Sequence, residues 1–130
     1  MKVIKIEYSG GSGWLICHGS DYLKSHGATE AGRLTYIAQE AAEFVAEDID
    51  GSDMLPARLF IPATASRPLF SVTCVTRDDL EKALKSYVPT LFSDPQARIE
   101  VRDCYSDTYT LTLDDMTVEE CESLREFDGW

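Results

Sequence analysis

Hydrophobic and polar residues repeat with two different periods along this chain, and the longest periodic run covers residues 29–51. On a helical wheel the apolar residues of this run fall on one side. They are Leu34, Ile37, Ala38, Ala41, Phe44, Val45 and Ile49. Thr29 is a residue type that caps helix N-termini, and Gly51 is one that often follows a helix end. The run therefore predicts one amphipathic helix whose apolar side packs on the rest of the protein.

Shorter runs alternate with the period of two that is typical of half-buried strands. They cover residues 3–8, 14–18, 58–61, 69–75, 97–103 and 108–113. In the first run Ile4, Ile6 and Tyr8 fall on one side, and a glycine-rich stretch separates it from the second. Both the glycines and the short spacing predict a hairpin there.

Two further helices are predicted by their start signals. Thr76 precedes an amphipathic run at 77–88 that Pro89 ends, and Thr117 with Glu120 forms a capping box near the C-terminus. The element order is then ββαββαββα. This order predicts an α+β fold, with a mostly antiparallel sheet and three helices packed on one sheet face. At 130 residues the chain fits a single domain spanning 1–130.

The charge of the chain is strongly and unevenly negative. Twelve lysines and arginines stand against 23 aspartates and glutamates, for a formal net charge of −11. Residues 1–53 carry −5, residues 54–102 carry +2 and residues 103–130 carry −8. Direct nucleic-acid binding needs a cationic surface, so we expect none. The balance predicts a partner that is a basic protein or a nucleoprotein complex. Excess acid that only keeps the protein soluble is the plain alternative.

No apolar run approaches the roughly 18 residues that suggest a membrane-spanning helix, and no charged-then-apolar leader opens the chain. We therefore expect a cytoplasmic protein without a membrane partner. The cysteines at 17, 74, 104 and 121 form no CxxC pair, so reduced thiols are expected.

An acidic stripe runs along the first predicted helix, opposite its apolar side. Glu40, Glu43 and Glu47 follow one another at helical spacing, with Tyr36 one turn before them and Asp50 after them. Neighbouring like charges cost roughly 0.2–0.5 kcal/mol each, and carboxylates near a helix C-terminus oppose the dipole. An aromatic ring among carboxylates is suited to receive arginine or lysine. These five residues are the predicted partner-binding residues.

One cluster carries residue types used in catalysis or metal binding, namely Cys17, His18, Asp21 and His26. Adjacent strand residues point to opposite faces, so Cys17 and His18 cannot both join the other two. Three ligands of mixed type without zinc-finger spacing indicate a metal site only weakly. Cys17 and His26 could form a nucleophilic pair, but the sequence implies no third residue that would orient the histidine. The sequence therefore predicts no catalytic residue, no metal and no cofactor.

The hypothesis that best fits these patterns is a non-enzymatic interaction module. In size, charge and lack of a catalytic set the chain resembles small acidic inhibitors made by phages or mobile elements, such as anti-CRISPR or antirestriction proteins. An immunity protein that neutralises a nuclease toxin is an alternative. A small enzyme or metal-binding protein using Cys17, His18 and His26 is another. A homo-oligomeric structural module of a larger assembly is a further hypothesis, and the sequence is compatible with a homodimer.

Overall fold

The computed structural model describes residues 2–11, 13–17, 29–94, 96–117 and 119–120. Six strands are β1 (Lys2–Tyr8), β2 (Gly13–Ile16), β3 (Ala57–Ile61), β4 (Phe70–Cys74), β5 (Ile99–Arg102) and β6 (Thr108–Asp115). The helices are α1 (Glu30–Gly51), α2 (Arg77–Tyr87) and the single turn α3 (Thr90–Ser93). Within the described residues no helix is both long and apolar enough to cross a membrane.

The six strands form one sheet in the order β2-β1-β6-β5-β3-β4, and every neighbouring pair is antiparallel. The predicted antiparallel α+β architecture is therefore confirmed. The alternation of apolar and polar residues along the strands specifies their register. Ile6 lies opposite Leu111 and Val101 lies opposite Tyr109, so these large apolar side chains share one face of the sheet. Two of the neighbouring pairs join strands that are not consecutive in the chain: β1 pairs with β6, and β3 pairs with β5.

The two long helices pack on the same face of the sheet and enclose the main core. The fully buried members from the helices include Ile37, Ala41, Val45, Ile49, Leu80 and Leu84, and those from the strands include Ile4, Ile6, Leu59, Ile99, Tyr109 and Leu111. Burying an aliphatic side chain of this size stabilises the fold by about 1.5–3 kcal/mol. The apolar side predicted for the first helix thus faces this core, although Leu34 and Phe44 lie at its margin and are only partly buried.

The predicted order ββαββαββα differs from the structure in its helices. Within the described residues only α1 and α2 extend beyond one turn, so two helices and not three stand on the sheet. The one-turn α3 follows α2 directly, because Pro89 ends α2 and its restricted backbone is compatible with starting a new helical turn. The predicted third helix falls largely outside the described residues. Its capping box is in place, since Thr117 Oγ1 accepts a hydrogen bond from the Glu120 N–H at 3.1 Å.

A buried arginine joins the start of α1 to the sheet, which the sequence pattern did not predict. Arg33 is 0% exposed and donates through Nη2 to the backbone carbonyl of Lys2 and, at 2.8 Å, to Glu30. Thr29 caps the helix as predicted, accepting a hydrogen bond from the Gly32 N–H at 3.2 Å. Together these contacts fix the N-terminal end of α1 against β1. The outward side of the helix is therefore held in a defined orientation.

Candidate functional site

The outward side of α1 carries the five residues predicted to bind a partner. Tyr36 is 40% exposed, Glu43, Glu47 and Asp50 are exposed, and Glu40 is half-buried. Ile37, Ala41 and Val45 of the same helix are fully buried, so the two sides of α1 differ sharply in solvent access. We call Tyr36, Glu40, Glu43, Glu47 and Asp50 the acidic face.

Basic residues on α2 form ion pairs with those carboxylates of the acidic face that lie next to this helix. Lys85 lies 3.2 Å from Glu43 and 3.5 Å from Glu81, and Arg77 lies 4.0 Å from Asp50. The hydrogen bond to Glu43 is the main reason that the pKa of Lys85 is raised above its ordinary value. Exposed pairs of this kind are weak, so a partner's cation can compete for these carboxylates.

The other end of the acidic face opens into a shallow depression at the C-terminus of α1. It is lined by Phe44, Glu47, Asp48, Gly51 and Ser52. Glu47 forms no ion pair with any residue in the described part of the chain. The last turn of α1, all of which is described, contains no basic residue. The negative end of the helix dipole adds to the charges of Glu47 and Asp48, so the electrostatic potential at this depression is negative.

Aromatic side chains of the sheet pack next to the residues that line this depression. Trp14 packs on Phe44 with ring centroids 4.9 Å apart, and Tyr8 packs on Tyr109 at 4.6 Å. The buried Tyr109 hydroxyl donates a hydrogen bond to Asp48. Burial, and then the nearby carboxylate of Asp48, raises the pKa of Tyr109 far above its ordinary value, so the hydroxyl stays a donor at physiological pH. Asp48 is thereby held in place beside Glu47.

Asp48 is the residue of this site that sequence reasoning missed. It falls between the stripe and the apolar side of α1, so helical periodicity alone gave it no role. A usable signal was its position four residues after Phe44, which places the two side chains next to each other on one side of the helix. The structure thus adds Asp48 and Phe44 to the five predicted residues.

The cysteine and histidine cluster is represented in the structure by Cys17 alone. Its side chain is 9% exposed and packs in a small apolar cluster with Val3, Leu15 and Met116. His18, Asp21 and His26 lie outside the described residues. Within the described residues no group of three or more His, Cys, Asp or Glu side chains could hold a metal ion.

The chemistry available at the acidic face and its depression is recognition of cations. Carboxylates accept charge-assisted hydrogen bonds from arginine and lysine, and the exposed edges of Tyr36 and Phe44 offer apolar and cation–π contacts. Aromatic residues beside charged groups are typical anchors of protein interfaces. No protein family, curated protein or solved structure matches this chain.

Proposed function

We propose that this chain is a non-enzymatic cytoplasmic protein that binds a basic protein or nucleoprotein complex through the acidic face of α1. Occupying a basic surface would prevent that partner from binding nucleic acid. This is the mode of action expected of an anti-CRISPR or antirestriction type of inhibitor. The protein itself would have no affinity for DNA or RNA, because its net charge is −11.

The observation that carries this proposal is the position of the acidic face on a helix whose opposite side is fixed in the core. Ile37 and Ile49 are fully buried, whereas Glu47 is exposed and without an ion-pair partner among the described residues. Like charges on one helix face cost stability. Binding to a cationic partner would offset that cost.

The depression at the C-terminal end of α1 suggests how the partner is anchored. A lysine or arginine side chain entering it would meet Glu47, Asp48 and the negative end of the helix dipole at once. Its aliphatic stem would lie against Phe44. A buried cation with several such contacts is the kind of residue that dominates binding energy in an interface.

The spacing of the glutamates favours a local patch over a mimic of a whole duplex. Carboxylates three or four residues apart rise about 4.5–6 Å along a helix, whereas phosphates follow one another every 3.4 Å or so along a DNA strand. The acidic face is therefore suited to block one basic groove. An immunity protein acting on a nuclease toxin would use the same surface, and identification of the partner separates the two cases.

The salt dependence of partner binding tests this proposal. The partner would be captured from a lysate of the source cells, purified and titrated by calorimetry at salt concentrations from about 50 to 200 mM. We expect the dissociation constant to rise by at least about tenfold over this range, because exposed charge pairs are screened over roughly 8–10 Å. A dissociation constant that stays the same across the range would contradict the proposal.

A further inference from the structure

Two arginines face each other on the side of the sheet that the helices leave open. Arg58 on β3 and Arg102 on β5 are directly opposite in the strand register, and both are exposed. Their guanidinium carbons lie 5.8 Å and 5.2 Å from the centroid of the same ring, that of Phe60. This cluster lies on the opposite face of the sheet from α1 and is separate from the acidic face.

These two arginines differ from the other described bases because neither forms an ion pair with a carboxylate of the described residues. Every other lysine and arginine in the described ranges lies within 4.0 Å of an aspartate or glutamate. The pairs are Lys2–Asp115, Lys5–Glu7, Arg33–Glu30, Arg67–Asp94, Arg77–Asp50, Lys82–Asp78, Lys85–Glu43 and Arg98–Glu100. Among the described residues Arg58 contacts the hydroxyl of Thr73, at 3.5 Å, and the ring of Phe60, whereas Arg102 contacts the ring of Phe60.

The absence of a carboxylate partner is unexpected in a chain with 23 acidic and 12 basic residues. Like charges directly opposite each other on neighbouring strands destabilise a sheet. Two acids lie nearby: Glu100, opposite Phe60 in the register, is paired with Arg98 at 2.9 Å, and Asp103, which lines the depression, is 5% exposed. The Oδ1 atom of Asp103 accepts hydrogen bonds from the backbone N–H groups of Tyr105 and Asp107, at 2.8 Å and 3.0 Å. Neither acid forms an ion pair with Arg58 or Arg102, so within the described residues the two guanidiniums are not neutralised by a carboxylate contact.

We propose that Arg58, Arg102 and Phe60 form a binding site for a phosphate monoester group. The site is a depression that these residues line together with Pro56, Thr73 and Asp103. Phe60 holds both guanidinium groups through its ring and so occupies none of their N–H donors. Arg58 Nε donates to the Thr73 hydroxyl, and the remaining donors of both guanidiniums are available to one anion in this depression.

The number of donors favours phosphate over carboxylate. A carboxylate offers two oxygens and one negative charge, whereas a phosphate monoester offers three free oxygens and a charge of about −1.5 to −2, which match two guanidiniums and a hydroxyl more closely. A small ligand or a single phosphorylated side chain also fits the charge of the chain better than a nucleic acid does. A polymer of phosphates would extend from the site over a protein of net charge −11 and be repelled.

Titration followed by NMR tests the site directly. The full chain labelled with ¹⁵N would be titrated separately with inorganic phosphate, O-phosphoserine, acetate and a single-stranded oligonucleotide. We expect O-phosphoserine and phosphate to shift the amides of residues 57–60, 73 and 102–103, acetate to bind at least about tenfold more weakly, and the oligonucleotide to bind more weakly than O-phosphoserine. If acetate bound as tightly, or the oligonucleotide bound more tightly, the assignment to a phosphate monoester would be overturned.

Matched variants separate a specific site from general charge attraction. Arg58→Gln with Arg102→Gln should weaken O-phosphoserine binding by about 100-fold, since two charge-assisted contacts are lost. Arg77→Gln with Lys82→Gln makes the same change in net charge at exposed positions of α2, on the other face of the sheet, and it should change binding less than about twofold. The double variant should fold at least as well as the unaltered protein without ligand, because the facing charges are gone. Equal binding by the double variant and the unaltered protein, or no shift of the named amides with any probe, would overturn the proposal.

Discussion

Changing Glu40 and Glu47 to lysine is expected to abolish partner binding while the protein still folds. Both residues lie on the outward side of α1, and Glu47 borders the depression at its C-terminal end. A lysine near a helix C-terminus interacts favourably with the dipole, so the substitution near that end should not weaken the helix. Glu43 is left unchanged because Lys85 lies 3.2 Å from it, and a second lysine there would place two cations together.

The measurement is calorimetric titration of the captured partner into each variant, with circular dichroism to verify folding. Asp114→Lys with Glu119→Lys is the control, since it makes the same change in net charge at exposed positions away from α1. We expect the control to retain binding within a few-fold and the Glu40/Glu47 variant to show none. Equal losses in the two variants would show that net charge, and not the acidic face, governs binding.

Truncating Ile37 to alanine should destabilise the protein by about 2–5 kcal/mol, because its side chain is fully buried between α1 and the sheet. Glu43→Ala on the opposite side of the same helix should change the free energy of unfolding by less than about 1 kcal/mol, since it removes only an exposed ion pair with Lys85. Urea denaturation of both variants measures the difference. Similar effects from the two substitutions would mean that the buried side of α1 is wrongly assigned.

Much of the fold could be predicted from sequence because local periodicity decides it. The run from Thr29 to Gly51 has one apolar side, and that side determines which carboxylates face solvent. The hairpin of β5 and β6 follows from alternation around a short turn, and Thr76 caps α2 as predicted, accepting from the Asp79 N–H at 3.1 Å. The outward placement of Glu43 and Glu47 required nothing more than this helical period.

The features that sequence reasoning missed depend on contacts between distant segments. Buried Arg33 donates a hydrogen bond to the backbone carbonyl of Lys2, which lies 31 residues earlier in the chain. Helical periodicity alone would not place a charged residue in the core. The pairing of Arg58 with Arg102 requires β3 to lie beside β5, with β4, α2 and α3 between them in sequence. Asp48 on α1 accepts a hydrogen bond from Tyr109, which lies on β6, 61 residues later in the chain.

Displacement of nucleic acid from the partner tests the central claim most directly. The captured partner would be loaded with a fluorescently labelled nucleic acid and titrated with this protein while anisotropy and co-elution are followed. If the acidic face occupies the partner's basic surface, nucleic acid should be released in proportion to the protein bound, and the Glu40/Glu47 variant should release none. A stable ternary complex of partner, nucleic acid and this protein would contradict the claim.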